Sequence, residues 1–298
     1  MKFRTEYLPS RAPITLDPSR PVVLIGSCFT QNMAAQMEGH GWNAKIPFGT
    51  LYNPLSMALA ISILKDSQNS VAKFENSLFE SRSLWHSHLF DSSFSSSRRE
   101  DCILHFKNKR AEFLQNLEEG RTLIVTFGTS ICYFLEKEKI PVGNCHKQPS
   151  QLYYKERLTQ EEITGYWNSI IKGLTSDFPG LNVIFTVSPV RHLKDGFVGN
   201  SRSKAVLALA IEDICNLHEN ANYFPAYEIL NDDLRDYRFY ASDLAHPSEE
   251  AIEYIWEKFV ATYMDEAGLN YLREGRKAYL SLHHRPLTGA LGQPLNTP

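Results

Sequence analysis

Three short apolar runs, each halted by small polar residues, constrain this chain more than any other feature. Val22-Val23-Leu24-Ile25 stops at Gly26-Ser27-Cys28, Thr122 to Phe127 stops at Gly128-Thr129-Ser130, and Asn182 to Val187 stops at Ser188-Pro189. Runs of this length, rich in Val, Ile and Phe and without polar alternation, read as strands buried on both faces. Helical patterns lie between them. One begins at Phe29, one at Asn53-Pro54 and one at Arg99, running to Leu117. Others span Gln160 to Ser176 and Ser203 to Leu217, and a last one follows Ser248 through Phe259. Strands alternating with helices predict an α/β class with a mostly parallel sheet covered on both sides. Trp42 to Ile46 reads as a second strand and Tyr223 to Tyr227 as a weaker fifth, because Pro225 lies inside it.

The flanks and the middle are less regular. Residues 1–20 carry three prolines and read as an arm before the first strand. Periodicity is lost over about residues 66–99, an insertion that includes the serine-rich loop Ser92 to Ser97. The main domain is read as 21–282 and an irregular tail as 283–298. With 298 residues, 43% of them hydrophobic, the chain has material for a sizeable core. A net charge of −3 and no basic tract argue against nucleic acid and against an anionic membrane surface. No apolar run approaches the roughly 20 residues of a membrane helix, and Met1 to Glu6 is not followed by the apolar core of a secretory signal. Five scattered cysteines without a C-x-x-C pair suit reduced thiols, and the expected location is cytoplasmic.

In a parallel sheet the carboxyl ends of the strands share one edge, where the chemistry of such folds gathers. Strand, glycine, then Ser27 and Cys28 at a helix start is a way to present a hydroxyl or a thiol beside helix N–H groups. The plain alternative makes Ser27 an N-cap and Cys28 a small buried hydrophobe. Asp243 and His246, three apart on a polar turn, have the spacing of a carboxylate that orients an imidazole, although the same turn also serves to start a helix at Ser248. His86 and His88 at i, i+2 have the spacing of metal ligands on a strand, but no third ligand lies nearby in sequence, and no metal or other cofactor is expected. His146 and His192 are candidates for substrate oxygens, with His192 and Arg191 equally suited to pairing with acidic neighbours. Arg235, Asp236 and Arg238 read as a structural charge network.

Gly26-Ser27-Cys28-Phe29-Thr30 resembles the signature of the GSCFA family, a branch of the SGNH/GDSL hydrolase superfamily. The likeness extends through Pro47-Phe48-Gly49-Thr50, Tyr52-Asn53-Pro54, Gly128-Thr129-Ser130, Asn144-Cys145-His146-Lys147 and Ser188 to His192. It continues in Ser203-Lys204-Ala205, Arg235 to Tyr240 and Asp243…His246-Pro247-Ser248. The resemblance implies a flavodoxin-like, three-layer α/β/α fold with a five-stranded sheet, and hydrolysis or transfer of an acyl ester, a carbohydrate ester being one class. It also implies that Asp243 orients His246 as general base and that Gly49 lies in an oxyanion hole. Two blocks depart from the superfamily pattern. Where Gly-Asp-Ser is usual, gapless alignment puts Cys28 at the nucleophile position and Ser27 in place of Asp. Where Gly-x-Asn-Asp is usual, Gly128-Thr129-Ser130 offers no Asn, leaving Asn144 as a candidate donor from a later loop, with Gly128 and Thr129 as further substrate-binding candidates.

The reading is therefore an acyl-enzyme mechanism with Ser27 or Cys28 as nucleophile, a small-molecule or carbohydrate ester as substrate, and no nucleic acid or membrane partner. The alternative is a ligand-binding module that keeps the crevice without the chemistry.

Overall fold

A computed structural model describes residues 4–283. Strand β1 (Val22–Gly26) leads through α1 (Cys28–Gly39) to a short β2 (Ala44–Lys45). The predicted second strand thus shrinks to two residues. Then follow α2 (Pro54–Lys65), capped by Asn53 with Pro54 in the first turn, and α3 (Ser70–Asn76). A hairpin of β3 (Leu78–Ser81) and β4 (Leu84–Ser87) precedes α4 (Arg99–Gly120) and β5 (Thr122–Phe127). A small antiparallel sheet comes next, with β6 (Ile131–Leu135) between β7 (Pro141–Val142) and β8 (Tyr153–Arg157). The chain continues with α5 (Gln160–Asp177), β9 (Asn182–Val187), α6 (Gly196–Leu217) and β10 (Ala221–Tyr223). A short α7 (Ala226–Glu228) runs into a π turn (Ile229–Leu234), and α8 (Glu249–Tyr263) and α9 (Glu266–His283) close the described chain.

The central sheet has the order β10-β9-β5-β1-β2, every pair parallel. Counted among its own five strands this is 2-1-3-4-5, the flavodoxin-like order, with the switch point at β1 and its neighbour β5. The pleat sorts the strand residues by parity. Val23, Ile25, Leu123, Val125, Phe127, Val183, Phe185 and Val187 pack on one side with α2, α4, α5 and α6. Val22, Leu24, Ile124 and Ile184 face the other side, under α1, α8 and the π turn. Three layers result, α/β/α.

Three sequence expectations are corrected by local chemistry. The fifth strand ends at Tyr223 instead of beginning there, because Pro225 has no N–H for the ladder and the chain turns into α7. The aperiodic stretch over residues 66–99 is built around buried Phe74, Phe90 and Phe94, and Asp91 caps a 3₁₀ turn in its serine run. The antiparallel strands β6 and β8 gave no sequence signal, since β8 is largely exposed and lacks an apolar alternation. The N-terminal arm lies along α8 through Ala12 and Leu16 N–H bonds to the Thr262 and Tyr263 carbonyls. Of the segment read as a tail from residue 283, positions 284–298 lie outside the described residues.

Trp167 on α5 is fully buried, meets Phe127 and Phe185 edge-on at 5.2 Å each, and donates its indole N–H to the Pro54 carbonyl at 3.0 Å. It therefore ties α5 both to the sheet and to the start of α2. Trp167→Ala is expected to remove about 3–5 kcal/mol of stability through the cavity it leaves. Trp167→Phe, which keeps a ring and loses the hydrogen bond, is expected to lose only about 1–2 kcal/mol. Urea unfolding read at constant m-value checks both.

Candidate active site

The site is assembled at the carboxyl ends of β1, β5 and β9. At Gly26 the backbone takes φ +152°, and a Cβ there would strike the Thr126 carbonyl and lie 2.7 Å from Thr126 Cβ and Thr30 Oγ1. Only glycine permits β1 to pass so close to β5 and turn at once into α1. Ser27 then sits at the N-cap position, but its hydroxyl caps nothing; it is buried and has no hydrogen-bond partner among the described residues.

Cys28 is the first residue of α1, half-buried, and its Sγ lies 3.2 Å from His246 Nε2. On the far side of the ring, His246 Nδ1 is 2.5 Å from Asp243 Oδ2. With the Nδ1–H donating to Asp243, Nε2 offers a lone pair to the thiol. The other Asp243 oxygen accepts the Ala245 and His246 N–H groups at 2.9 and 3.0 Å. These backbone bonds, and then the imidazole, hold the Asp243 carboxyl far below its ordinary range. The turn carries Leu244 at φ +58° and is anchored on both sides: Ala241 N–H donates to the His246 carbonyl, and Arg191 N–H to the Ala245 carbonyl. Ser248 then caps α8 through the Ala251 N–H, with Glu249 and Glu250 in the first turn. Burial pushes the Cys28 thiol up, while the Phe29 and Cys28 N–H groups at the helix start and the Lys204 cation pull it down.

The remaining expected residues divide. Gly49 lies at this edge, where Leu51 N–H donates to the Gly26 carbonyl and Thr50 bridges to Gly26. It has φ +64°, and the Asp91 carboxylate fills the place of a side chain while accepting the Thr50 N–H at 2.7 Å. His192 also reaches the site. Its Nε2 is buried without a partner among the described residues, 3.3 Å from where a Gly128 Cβ would stand, and its ring meets Tyr52 at right angles. Burial, then Lys204, pushes this imidazole down to about 4, so it is neutral at pH 7.

Gly128 and Thr129 are present at the edge, but both of their N–H groups donate to the Tyr52 carbonyl, at 2.8 and 3.0 Å, and Thr129 Oγ1 bonds to Ser203. Their amides are committed to holding the loops and are not free donors. Asn144 and His146 are occupied elsewhere. Asn144 Oδ1 accepts the His146 N–H, and His146 Nε2 lies 2.8 and 3.0 Å from the Ser87 and Phe90 carbonyls, bracing the β3–β4 hairpin. Neither bonds to Cys28 or His246. His86 and His88 do not pair as metal ligands: His86 bonds Ser95 Oγ, and His88 stacks on Phe79 at 4.1 Å. Among the described residues no three His, Cys, Asp or Glu side chains group as a metal site. Arg238 pairs with Asp236, whereas Arg191 stacks over Tyr240 at 4.0 Å instead of pairing with an acid.

Two site residues had no role in the sequence reading. Tyr52 lies edge-on to His192 with ring centroids 5.8 Å apart, and Lys204 is buried with its Nζ on the Gly128 carbonyl. A lysine on the buried stripe of α6, between Ser203 and Leu207, is the signal that would have exposed the second.

Among the described residues no helix is long and apolar enough to cross a membrane. No curated protein matches the chain. Among solved structures it is similar to an acetyl esterase S10A variant with acetate, at 10% identity and TM-score 0.36, covering 87% of this chain and 99% of that one. A Clostridium thermocellum family two carbohydrate esterase in complex with cellohexaose gives 11% identity and TM-score 0.37, covering 85% and 65%. The acetyl xylan esterase Est2A of Butyrivibrio proteoclasticus gives 14% and 0.34, covering 91% and 67%. The GSCFA family matches residues 21–259, from the residue before β1 into α8, and the chain belongs to that family.

Proposed function

We propose that this protein hydrolyses or transfers the acyl group of an ester through a thioester on Cys28. The observation that carries the reading is the continuous line from Cys28 Sγ to His246 Nε2 to Asp243, spanning 3.2 and 2.5 Å. His246 Nε2 takes the thiol proton as the sulfur attacks the ester carbonyl, and Asp243 steadies the imidazolium that forms. The carbonyl oxygen gains charge near the start of α1, where the Cys28 N–H, the Gly49 N–H and His192 Nε2–H are the donors assigned to it. His246 then returns its proton to the departing alkoxide, leaving an acyl-Cys28 thioester and a free alcohol. In the second half His246 deprotonates water or an acceptor hydroxyl, which attacks the thioester and releases the acyl product and the thiol. The carbohydrate ester class rests on the superfamily resemblance.

Ser27 is the less suited nucleophile, because its hydroxyl is buried and makes no bond to His246. Its small side chain instead packs beside Gly128, where a Gly128 Cβ would come within 3.2 Å of Ser27 Cβ.

With p-nitrophenyl acetate and an acetyl thioester as substrates, Cys28→Ala and His246→Ala are each expected to lower kcat/KM by about 10³-fold or more. Ser27→Ala is expected to stay within about tenfold of wild type. Mass spectrometry after iodoacetamide should find the label on Cys28. Loss of activity in Ser27→Ala with retention in Cys28→Ala would reverse the assignment. Silence of the wild type on a panel of acetylated sugars and these esters would favour the binding-module alternative.

His192 supplies a second test. Its folded-state value lies below that of an unfolded histidine, so the native state binds fewer protons between pH 6.5 and about 4. The stability associated with it is full above pH 6.5 and is lost as pH falls toward 4. His192→Gln, which keeps a donor, is expected to remove roughly 3 kcal/mol of that acid-dependent loss in denaturant unfolding. His192→Ala is expected to lower kcat by about 10- to 10³-fold with little change in KM.

A further inference from the structure

Lys204 is the group that the mechanism above leaves unused. It lies on the buried stripe of α6 with 2% of its surface exposed, and among the described residues no carboxylate pairs with it. An unpaired buried ammonium is costly to keep. Its Nζ donates to the Gly128 carbonyl and to the Ser188 carbonyl, both at 2.6 Å. These carbonyls are the first beyond the ends of β5 and β9, on the loop that carries Gly128 against Ser27 and on the loop that leads to His192. Its neighbour Ser203 holds the same β5 loop, accepting the Ser130 N–H at 2.7 Å and bonding to the hydroxyls of Thr129 and Ser130. The titratable groups facing Lys204 are Cys28 on α1, His192 after β9, and the ring of Tyr227 on α7, 5.8 Å from Nζ. Those facing Cys28 besides Lys204 are His246, Asp243 and Tyr52.

We infer that Lys204 is a positioning residue for the acyl-transfer centre: tied to the Gly128 and Ser188 carbonyls, its buried ammonium holds both loops around Ser27 and Cys28 and offsets the negative charge of the Cys28 thiolate. The inference rests on Cys28 being the nucleophile. The step it serves is balanced within the site. The Cys28 S–H proton passes to His246 Nε2, the sulfur keeps the electron pair, and no proton of Lys204 takes part in the step. A simple structural staple would need only two N–H donors, which a neutral amine also supplies. The charge is what distinguishes the two roles. Burial pushes Lys204 down to about 7, and Cys28 is the group that pulls it back up, so thiolate formation and Lys204 protonation favour each other.

The test reads the thiol directly, without depending on turnover. The rate of Cys28 carbamidomethylation by iodoacetamide is followed by mass spectrometry from pH 5 to 10 in wild type, Lys204→Met and Lys204→Arg. Loss of the ammonium in Lys204→Met is expected to move the midpoint up by about one pH unit and slow labelling at pH 7 about tenfold. Lys204→Arg is expected to recover at least part of the shift. A folded Lys204→Met protein with the wild-type midpoint would overturn the inference. Should Lys204→Met not fold, the reciprocal measurement is made on wild-type protein by ¹⁵N NMR of the lysine Nζ groups. Carbamidomethylation of Cys28, which removes the thiolate, is expected to lower the Lys204 titration midpoint, and an unchanged midpoint would overturn the inference. If instead Cys28→Ala keeps full ester turnover, the nucleophile assignment falls while the midpoint shift still reports the Lys204–Cys28 coupling, so the two failures are distinguishable.

Discussion

Five parallel strands lay their carboxyl ends along one rim, and at that rim β1 and β5 approach so closely that only Gly26 fits between them. The layout of the candidate site follows from that approach. It forces the chain to turn directly from strand into α1, so Cys28 falls at the first helical position, where amide N–H groups have no intrahelical acceptor. It also brings the loop after β5 against Ser27, and Lys204 and Ser203 clamp that loop from the layer below. The second half of the site arrives from the other end of the chain. The Asp243–His246 turn is set by the start of α8, by Arg191 after β9, and by the bridge between Tyr240 and Pro247. One rim therefore collects side chains separated by more than two hundred residues, with little local structure beyond strand ends and caps.

That division explains what could be read from the residues alone. The three central strands were legible because burial on both faces leaves an unbroken apolar run, and no helix of that length would be so bounded by Gly and Ser. The Asp-x-x-His turn was legible because its spacing encodes its hydrogen bonds. The choice between Ser27 and Cys28 was not. Adjacent residues at a helix start differ in direction by the turn geometry, and composition says nothing of which one faces a partner 218 positions away. The same limit applies to Asn144 and His146. They have the chemistry of substrate ligands, yet they serve the insertion, where Asn144 stabilises a turn with left-handed His146 and Lys147. The β6–β8 pairing was invisible because β8, a largely exposed edge strand, needs no apolar pattern to pair with the short central β6.

The glycines and hydroxyls at the rim show how the altered motifs hold together. In place of a carboxylate after Gly26 stands Ser27, small enough to lie beside Gly128 and under His192. In place of an amide after β5 stands Ser130, whose hydroxyl and N–H are both absorbed by Ser203. His192 occupies space that a larger residue at Gly128 would take, and its low basicity keeps it neutral and able to donate from Nε2.

The Asp243–His246 pair lies in the open. Asp243 is exposed and its pairing with His246 is open to solvent, where water and salt weaken the field of a carboxylate. A hydroxyl nucleophile would ask an imidazole for a full proton transfer from a very weak acid. A thiol asks far less, because it begins many orders of magnitude more acidic and its anion is intrinsically reactive. Burial takes back part of that advantage at Cys28 and holds the thiol above its ordinary value, and the helix-start amides and the Lys204 cation offset only part of that. On the proposed reading, the exposed Asp243–His246 pair, the sulfur of Cys28 and the buried ammonium of Lys204 act together.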